Sequence, residues 1–140
     1  MKKLITLILF LTCLCYGRQV FLVGSSLQAA EIIPGETIAA SGVIRMTWTP
    51  MVCGDTGGWI KIASRHKTLT VTVTGTFNAQ TLTMQGSNDA SNAFTLLNLT
   101  GSSLTFTSAG GAGILELPLY IRPSFSGSSG GSLTVIVSFR

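Results

Sequence analysis

The sequence predicts an all-β protein built as a single antiparallel β-sandwich, and three observations predict it. Apolar and hydroxyl residues alternate strictly through Leu69-Thr-Val-Thr-Val-Thr74, and apolar residues hold the alternate positions 133, 135, 137 and 139 of Leu133-Thr-Val-Ile-Val-Ser-Phe139, with Ile136 on the opposite face. Period-two alternation places the apolar side chains on one sheet face and the threonines on the other. Clusters of Gly, Ser, Asn, Asp or Pro recur about every ten residues, the rhythm of a sandwich or small barrel. Charged residues make up only 10% of the 140 residues, where about 25% is usual. Thr, Ser and Gly replace them, and threonine suits the wet face of a strand because its branched Cβ fits the pleat.

Taken in order, Met1-Lys-Lys, an apolar run from Leu4 to Cys15 and small residues up to Gly17 have the layout of a secretory signal. The run is too short for a stable membrane span, which needs about 20 apolar residues. A lipid-attachment cysteine is the weaker reading, since neither Cys13 nor Cys15 follows a small residue; a misplaced start site is the third. Residues 18–40 read as an extended arm or edge strand, with Val20-Phe-Leu-Val23 and the Pro34-Gly35 turn signal. The domain proper spans 41–140.

Within it, one strand is expected over 42–48 and another over 58–63, separated by Pro50 and the Gly-rich turn 53–58. Strands 69–74 and 81–85 are expected to form a hairpin through 75–80. Shorter strands follow at 94–97, 104–106, 113–117 and 119–122. The Ser/Gly-rich stretch 124–132 is read as a hairpin loop leading into 133–139. The topology expected is jelly-roll or immunoglobulin-like.

Several function classes are disfavoured. Without Lys2 and Lys3 of the leader, seven Lys and Arg face five Asp and Glu, leaving a charge of +2. Only Arg65-His66-Lys67 clusters, so the basic stripe of a nucleic-acid binder is missing and no nucleic-acid partner is expected. A Ser-His-Asp device has only His66 as base and no Gly-x-Ser-x-Gly elbow. Glu31, Glu36, Asp55, Asp89 and Glu116 form no carboxylate motif. No catalytic residue, cofactor or metal is expected: one His and one Cys beyond the leader cannot build a zinc site. Cys53 reads as a turn residue, and Asp55 and Asp89 read first as turn-capping acids. Trp48, in phase with Ile44 and Met46, belongs to the core. Trp59, after two glycines, is the better candidate for exposure of the two, although core or interface packing takes the larger share. Arg122, between Ile121 and Pro123, reads as a buried or interface arginine pairing with Glu116 or a partner's carboxylate. Trp59, Asp55, Asp89 and Arg122 are therefore the candidate interface or ligand contacts.

From Trp48 onward the order of segments resembles a family of small structural proteins of tailed bacteriophages. The segments are Trp48-Thr49, Gly54-Asp-Thr-Gly57, Leu69–Phe77, Thr81-Leu-Thr-Met-Gln-Gly-Ser-Asn-Asp89, Leu104-Thr-Phe-Thr107, Leu117-Pro-Leu-Tyr-Ile-Arg-Pro123 and Leu133-Thr-Val-Ile-Val137. The chain departs from that pattern in its leader and at Ala90 and Phe94, where many members carry Gly and Trp. The resemblance implies a non-enzymatic virion component, such as a head decoration or fibre element, that assembles with phage structural proteins or with itself as a homo-oligomer. The Gly-Ser-Asn-Asp turn is also similar to one in discoidin-type sandwiches over about twenty residues, which implies the alternative of a secreted carbohydrate-binding module with a glycan partner. The location is accordingly the virion, or outside the cell if the leader is a true signal.

Overall fold

The structure, a computed structural model, describes residues 31–140 apart from 40, 64, 67, 128 and 129. The leader 1–17 and arm residues 18–30 lie outside the described residues. Twelve strands and no helix are found among the described residues, and they form two sheets packed face to face, an all-β sandwich.

The first sheet runs β1 (Glu31–Ile32), β4 (Thr56–Gly57), β11 (Tyr120–Ser126), β7 (Thr81–Ser87), β8 (Phe94–Thr95), with β5 (Ile60–Lys61) also on β11 and β9 (Thr105–Phe106) on β7. The second runs β10 (Gly110–Ile114), β6 (Leu69–Thr76), β12 (Ser132–Phe139), β3 (Ile44–Val52), β2 (Gly35–Ile38). All pairings are antiparallel except β1 with β4.

Alternation decides the core as the residues dictate. Leu69, Val71 and Val73 of β6 and Leu133, Val135, Val137 and Phe139 of β12 are buried, while Thr70, Thr72 and Thr74 are exposed. They meet Leu82, Met84, Ile121 and Phe125 from the other sheet. Each such side chain contributes about 1.5–3 kcal/mol on burial, an upper bound because the unfolded chain is already partly collapsed.

Three expectations need correction. First, β6 and β7 are not a hairpin: β6 pairs with β10 and β12, and β7 with β8, β9 and β11. The chain between them arches from one sheet to the other. Phe77 is the reason, because a hairpin tip would leave its ring in water. In the arch it packs edge-on against Phe125, with ring centroids 6.0 Å apart, and Gln80 is buried beside it. Second, the stretch 124–132 is likewise no hairpin loop. Its first residues extend β11 to Ser126, and the chain then crosses from the first sheet into β12 of the second.

Third, Pro50 does not end its strand. Leu133 pairs with Met51 and Val135 with Trp48, so Thr49 and Pro50 together oppose Thr134 in a β-bulge. A bulge is where a strand tolerates a residue without an N–H. The extra residue also resets the alternation, so that Trp48 and Met51, three apart, are both fully buried. Smaller adjustments follow the same logic. The expected strand 58–63 keeps only Ile60–Lys61, 94–97 only Phe94–Thr95 and 104–106 only Thr105–Phe106. The segment 115–119 is a crossing between β10 and β11, not a strand end, and it leaves Leu115, Leu117 and Leu119 about half exposed.

Candidate interaction surfaces

The register places the outward side chains of the first sheet in rows. Arg122 on β11 stands directly opposite Gln85 on β7, which stands opposite Thr95 on β8. On the other side of β11, Tyr120 faces Lys61 and Ile121 faces Ile60, which brings Trp59 level with Arg122. The guanidinium of Arg122 lies 4.2 Å from the centroid of the Trp59 ring, and its Nε–H donates to Gln85 Oε1 at 2.9 Å. Trp59, Arg122 and Gln85 thus form one interlocked row on a face that otherwise carries mainly hydroxyls, with Lys61 beside Tyr120. Partial burial lowers the Arg122 pKa from its usual value, and the charge of Glu31 opposes that shift; the guanidinium stays charged regardless.

The expected Arg122–Glu116 pairing is corrected by this arrangement. Glu116 accepts a hydrogen bond from the backbone N–H of Leu97 instead, because the 115–119 crossing lies against the segment after β8. Trp59 is half-buried, with Arg122 covering one side of its ring, and is the more exposed of the two tryptophans. Trp48 is fully buried, with its indole N–H donating to Gly58 O at 3.1 Å.

Asp55 and Asp89 do not join the row. Asp55 is buried and accepts from the N–H of Val52 at 2.7 Å, closing the turn after β3. Its own carbonyl accepts from Phe125 N–H. Asp89 caps the turn after β7: Oδ1 accepts from the N–H groups of Ser91 and Asn92, each at 2.8 Å, and from Ser87 Oγ at 2.9 Å. Backbone donation from Asn92 and then Ser91 leads the causes that hold its carboxyl well below the usual carboxylate range. Ala90, next in the turn, sits at φ 60°, a conformation that glycine adopts more readily.

A folded-state pKa below the unfolded value of about 4 stabilises the fold above that pH and ceases to do so as acid titrates the folded group. Asp89→Asn is therefore expected to lower the urea midpoint at pH 7. The gap between variant and parent should narrow steadily as pH falls below about 4. Equal midpoints at pH 7 would show that the cap contributes nothing.

Two further surfaces emerge that the sequence reading missed. At the flank where β2 and β5 approach, the sheets stand open over a cleft of about 490 Å³. Ile44, Met46, Ile60 and Phe139 floor it, and Trp59 forms a wall. Lys61, Arg65 and His66 stand on the first-sheet lip and Glu36 on the β2 lip. His66 rests on Phe139 at a ring separation of 5.4 Å, which gives the histidine a packing role. At the opposite flank, the crossing 115–119 lies beside residues 94–99: Leu115 N–H donates to Leu97 O, and Leu99 leans over Gly113. Cys53 donates its thiol to Gly127 O and is a turn residue. Among the described residues no three His, Cys, Asp or Glu converge.

The signal for Gln85 was present in the sequence, as the one amide in the outward series Thr81, Thr83, Gln85. The cleft had no such signal, since its two lips are brought together only by the pairing of β2 with β3 and β5 with β11. Comparison with known protein families, curated proteins and solved structures gives no match.

Proposed function

We propose that the protein is a non-enzymatic structural component of a tailed-phage virion, a head decoration, fibre or similar accessory element that works by protein–protein assembly. The observation that carries the reading is the leucine flank. Leu99, Leu115, Leu117 and Leu119 are each 49–68% exposed; three of them lie on the 115–119 crossing, whose Leu115 is hydrogen-bonded to Leu97, and Leu99 leans over Gly113 of β10. Apolar groups clustered in this way on a small soluble domain mark an interaction site. The charge that would keep such a flank solvated is withdrawn, because Glu116 turns to the Leu97 amide. The resemblance of the motif order to that of phage structural proteins favours a virion protein as the partner.

Mass spectrometry of purified particles tests this, with the chain expected in them and its mature N-terminus read at the same time. Leu117→Asp with Leu119→Asp should leave the circular dichroism unchanged, since both side chains are half in solvent, and reduce incorporation by at least tenfold. Unchanged incorporation would remove the flank from the assembly surface.

A secreted carbohydrate-binding module is the second reading, favoured by the Trp59–Arg122–Gln85 row. An aromatic ring beside a guanidinium and an amide offers stacking and planar hydrogen bonding together. It is the lesser reading because Asp55 and Asp89 are spent on turns. Sugar binding on a glycan array, abolished by Trp59→Ala, would reverse the ranking.

A further inference from the structure

The cleft at the β2 flank has an apolar floor, a cationic lip and an unpaired strand edge, and these features call for one kind of occupant. Among the described residues β2 pairs only with β3, so the other side of its backbone has no partner strand. Such an edge recruits another strand unless it is guarded. β2 carries no Lys or Pro; its sequence is Gly-Glu-Thr-Ile. Glu36 stands opposite Met46 and Ile38 opposite Ile44, so both side chains lie on the face that borders the cleft. Ile38 is 66% exposed and Ile33, just before β2, is 84% exposed. These are costly exposures for isoleucine in a free monomer.

We infer that this flank is a two-fold self-association site, in which β2 of a second copy pairs antiparallel with β2 and places its own Glu36 and Ile38 over the cleft. The chemistry is self-complementary. Each β2 offers an acidic and an apolar side chain on one face, and each cleft offers Lys61 and Arg65 above Ile44, Met46 and Phe139. An isologous interface requires that match of a surface with itself. With Thr37 on the two-fold axis, Glu36 of one copy falls opposite Ile38 of the other. Ile38 is level with Ile44, which pairs with Phe139, and His66 rests on Phe139. The second copy's carboxylate therefore arrives beside the Arg65–His66 end of the lip. The two five-stranded sheets become one of ten strands, and two edges vanish.

This rests on the assembly reading only in the use made of the dimer; the contact itself is independent of the particle. Three paired residues of each β2 (Glu36–Ile38) and one cleft per copy make a small interface, so the dimer is weak in solution, at roughly micromolar dissociation constants, and is consolidated when copies are held side by side.

Analytical ultracentrifugation of the full chain across 1–500 µM, with Cys13, Cys15 and Cys53 all replaced by Ser as background, is the direct test. A monomer–dimer equilibrium weakening with salt is expected. Thr37→Cys should give an intermolecular disulfide under mild oxidation, whereas Thr72→Cys, on the exposed outer face of the second sheet, should not. Glu36→Arg should weaken association at least tenfold, and Glu36→Arg with Lys61→Glu and Arg65→Glu should restore it. Glu36→Val separates a contact from a guard. Weaker association supports the proposal; stronger association would show Glu36 to be a charge that wards off pairing and would overturn it. A monomer throughout the range, or equal crosslinking at positions 37 and 72, would overturn it too. Particles containing a chain that stays monomeric would refute the dimer alone, and a dimer absent from particles would refute the virion reading alone.

Discussion

Trp48→Ala is expected to cost about 3–5 kcal/mol, the largest loss expected of any single core truncation here. Large aromatic truncations in well-packed cores fall in that range, and a domain of this size has only about 5–15 kcal/mol of net stability. The indole is fully buried, and main-chain atoms of Gly57 and Gly58 lie against its Nε1 edge. Gly57 abuts it so closely that a Cβ there would stand 2.6 Å from Nε1 and 2.5 Å from Pro123 Cδ. The cavity therefore cannot close by a small backbone shift. Trp48→Phe divides the effect. Most of the volume is kept, but Gly58 O loses the indole N–H that reaches it at 3.1 Å, for about 1–3 kcal/mol. Chemical denaturation followed by far-ultraviolet circular dichroism ranks the variants, with Trp48→Ala expected lowest and Trp48→Phe between it and the parent. A Trp48→Ala protein within 1 kcal/mol of the parent would mean that the indole is not the centre of the core.

That result bears on what the residues alone disclose. The strands β6 and β12 were legible because each buries one face and wets the other, and a two-residue period can be read off any such chain. The placement of Trp48 followed from its phase with Ile44 and Met46. Met51 did not follow, because the bulge at Thr49–Pro50 shifts the phase by one residue, and a bulge depends on the partner strand rather than on its own sequence. The β6–β7 arch was hidden for a related reason. A hairpin and an arch both turn two apolar faces towards the core, so alternation cannot separate them. Phe77 is the local clue, a large ring in the segment that would form the tip of a hairpin.

The candidate site divides in the same way. Trp59 and Arg122 were each singled out by local context, one by the glycines before it and the other by its apolar neighbours. Their mutual contact depends on residues 63 positions apart in the chain being laid side by side by the pairing of β5 with β11. Asp55 and Asp89 show the converse. Their turn-capping role was readable from the Gly-Asp and Asn-Asp contexts, and the geometry keeps them in it. Glu36 carried no local signal, since its part at the cleft comes from the pairing of Gly35–Ile38 with Ile44–Thr47.

Gly75→Ala should be among the most damaging substitutions outside the core, at about 2–4 kcal/mol, or a fall of about 10–20 °C in Tm. Gly75 sits near the end of β6 with φ at +121°, a backbone conformation that residues with a side chain rarely adopt. A Cβ on this backbone would stand 2.2 Å from Ser132 O and 2.9 Å from Leu133 Cα. Both are main-chain atoms, so no side-chain rotation relieves the overlap. Relief requires β6 to move away from the start of β12, where Gly75 pairs with Leu133 and Thr76 with Ser132. That movement would loosen the arch at Phe77 that follows directly. Gly101→Ala is the matched control. Gly101 also has positive φ, at 79°, but nothing lies within 4 Å of its Cβ position, so only the conformational cost of about 1–2 kcal/mol applies. Thermal unfolding should therefore order the three as parent, Gly101→Ala, then Gly75→Ala. Equal losses at the two glycines would mean that φ alone matters, and that the close approach of β6 to β12 at Ser132 is not what requires glycine there.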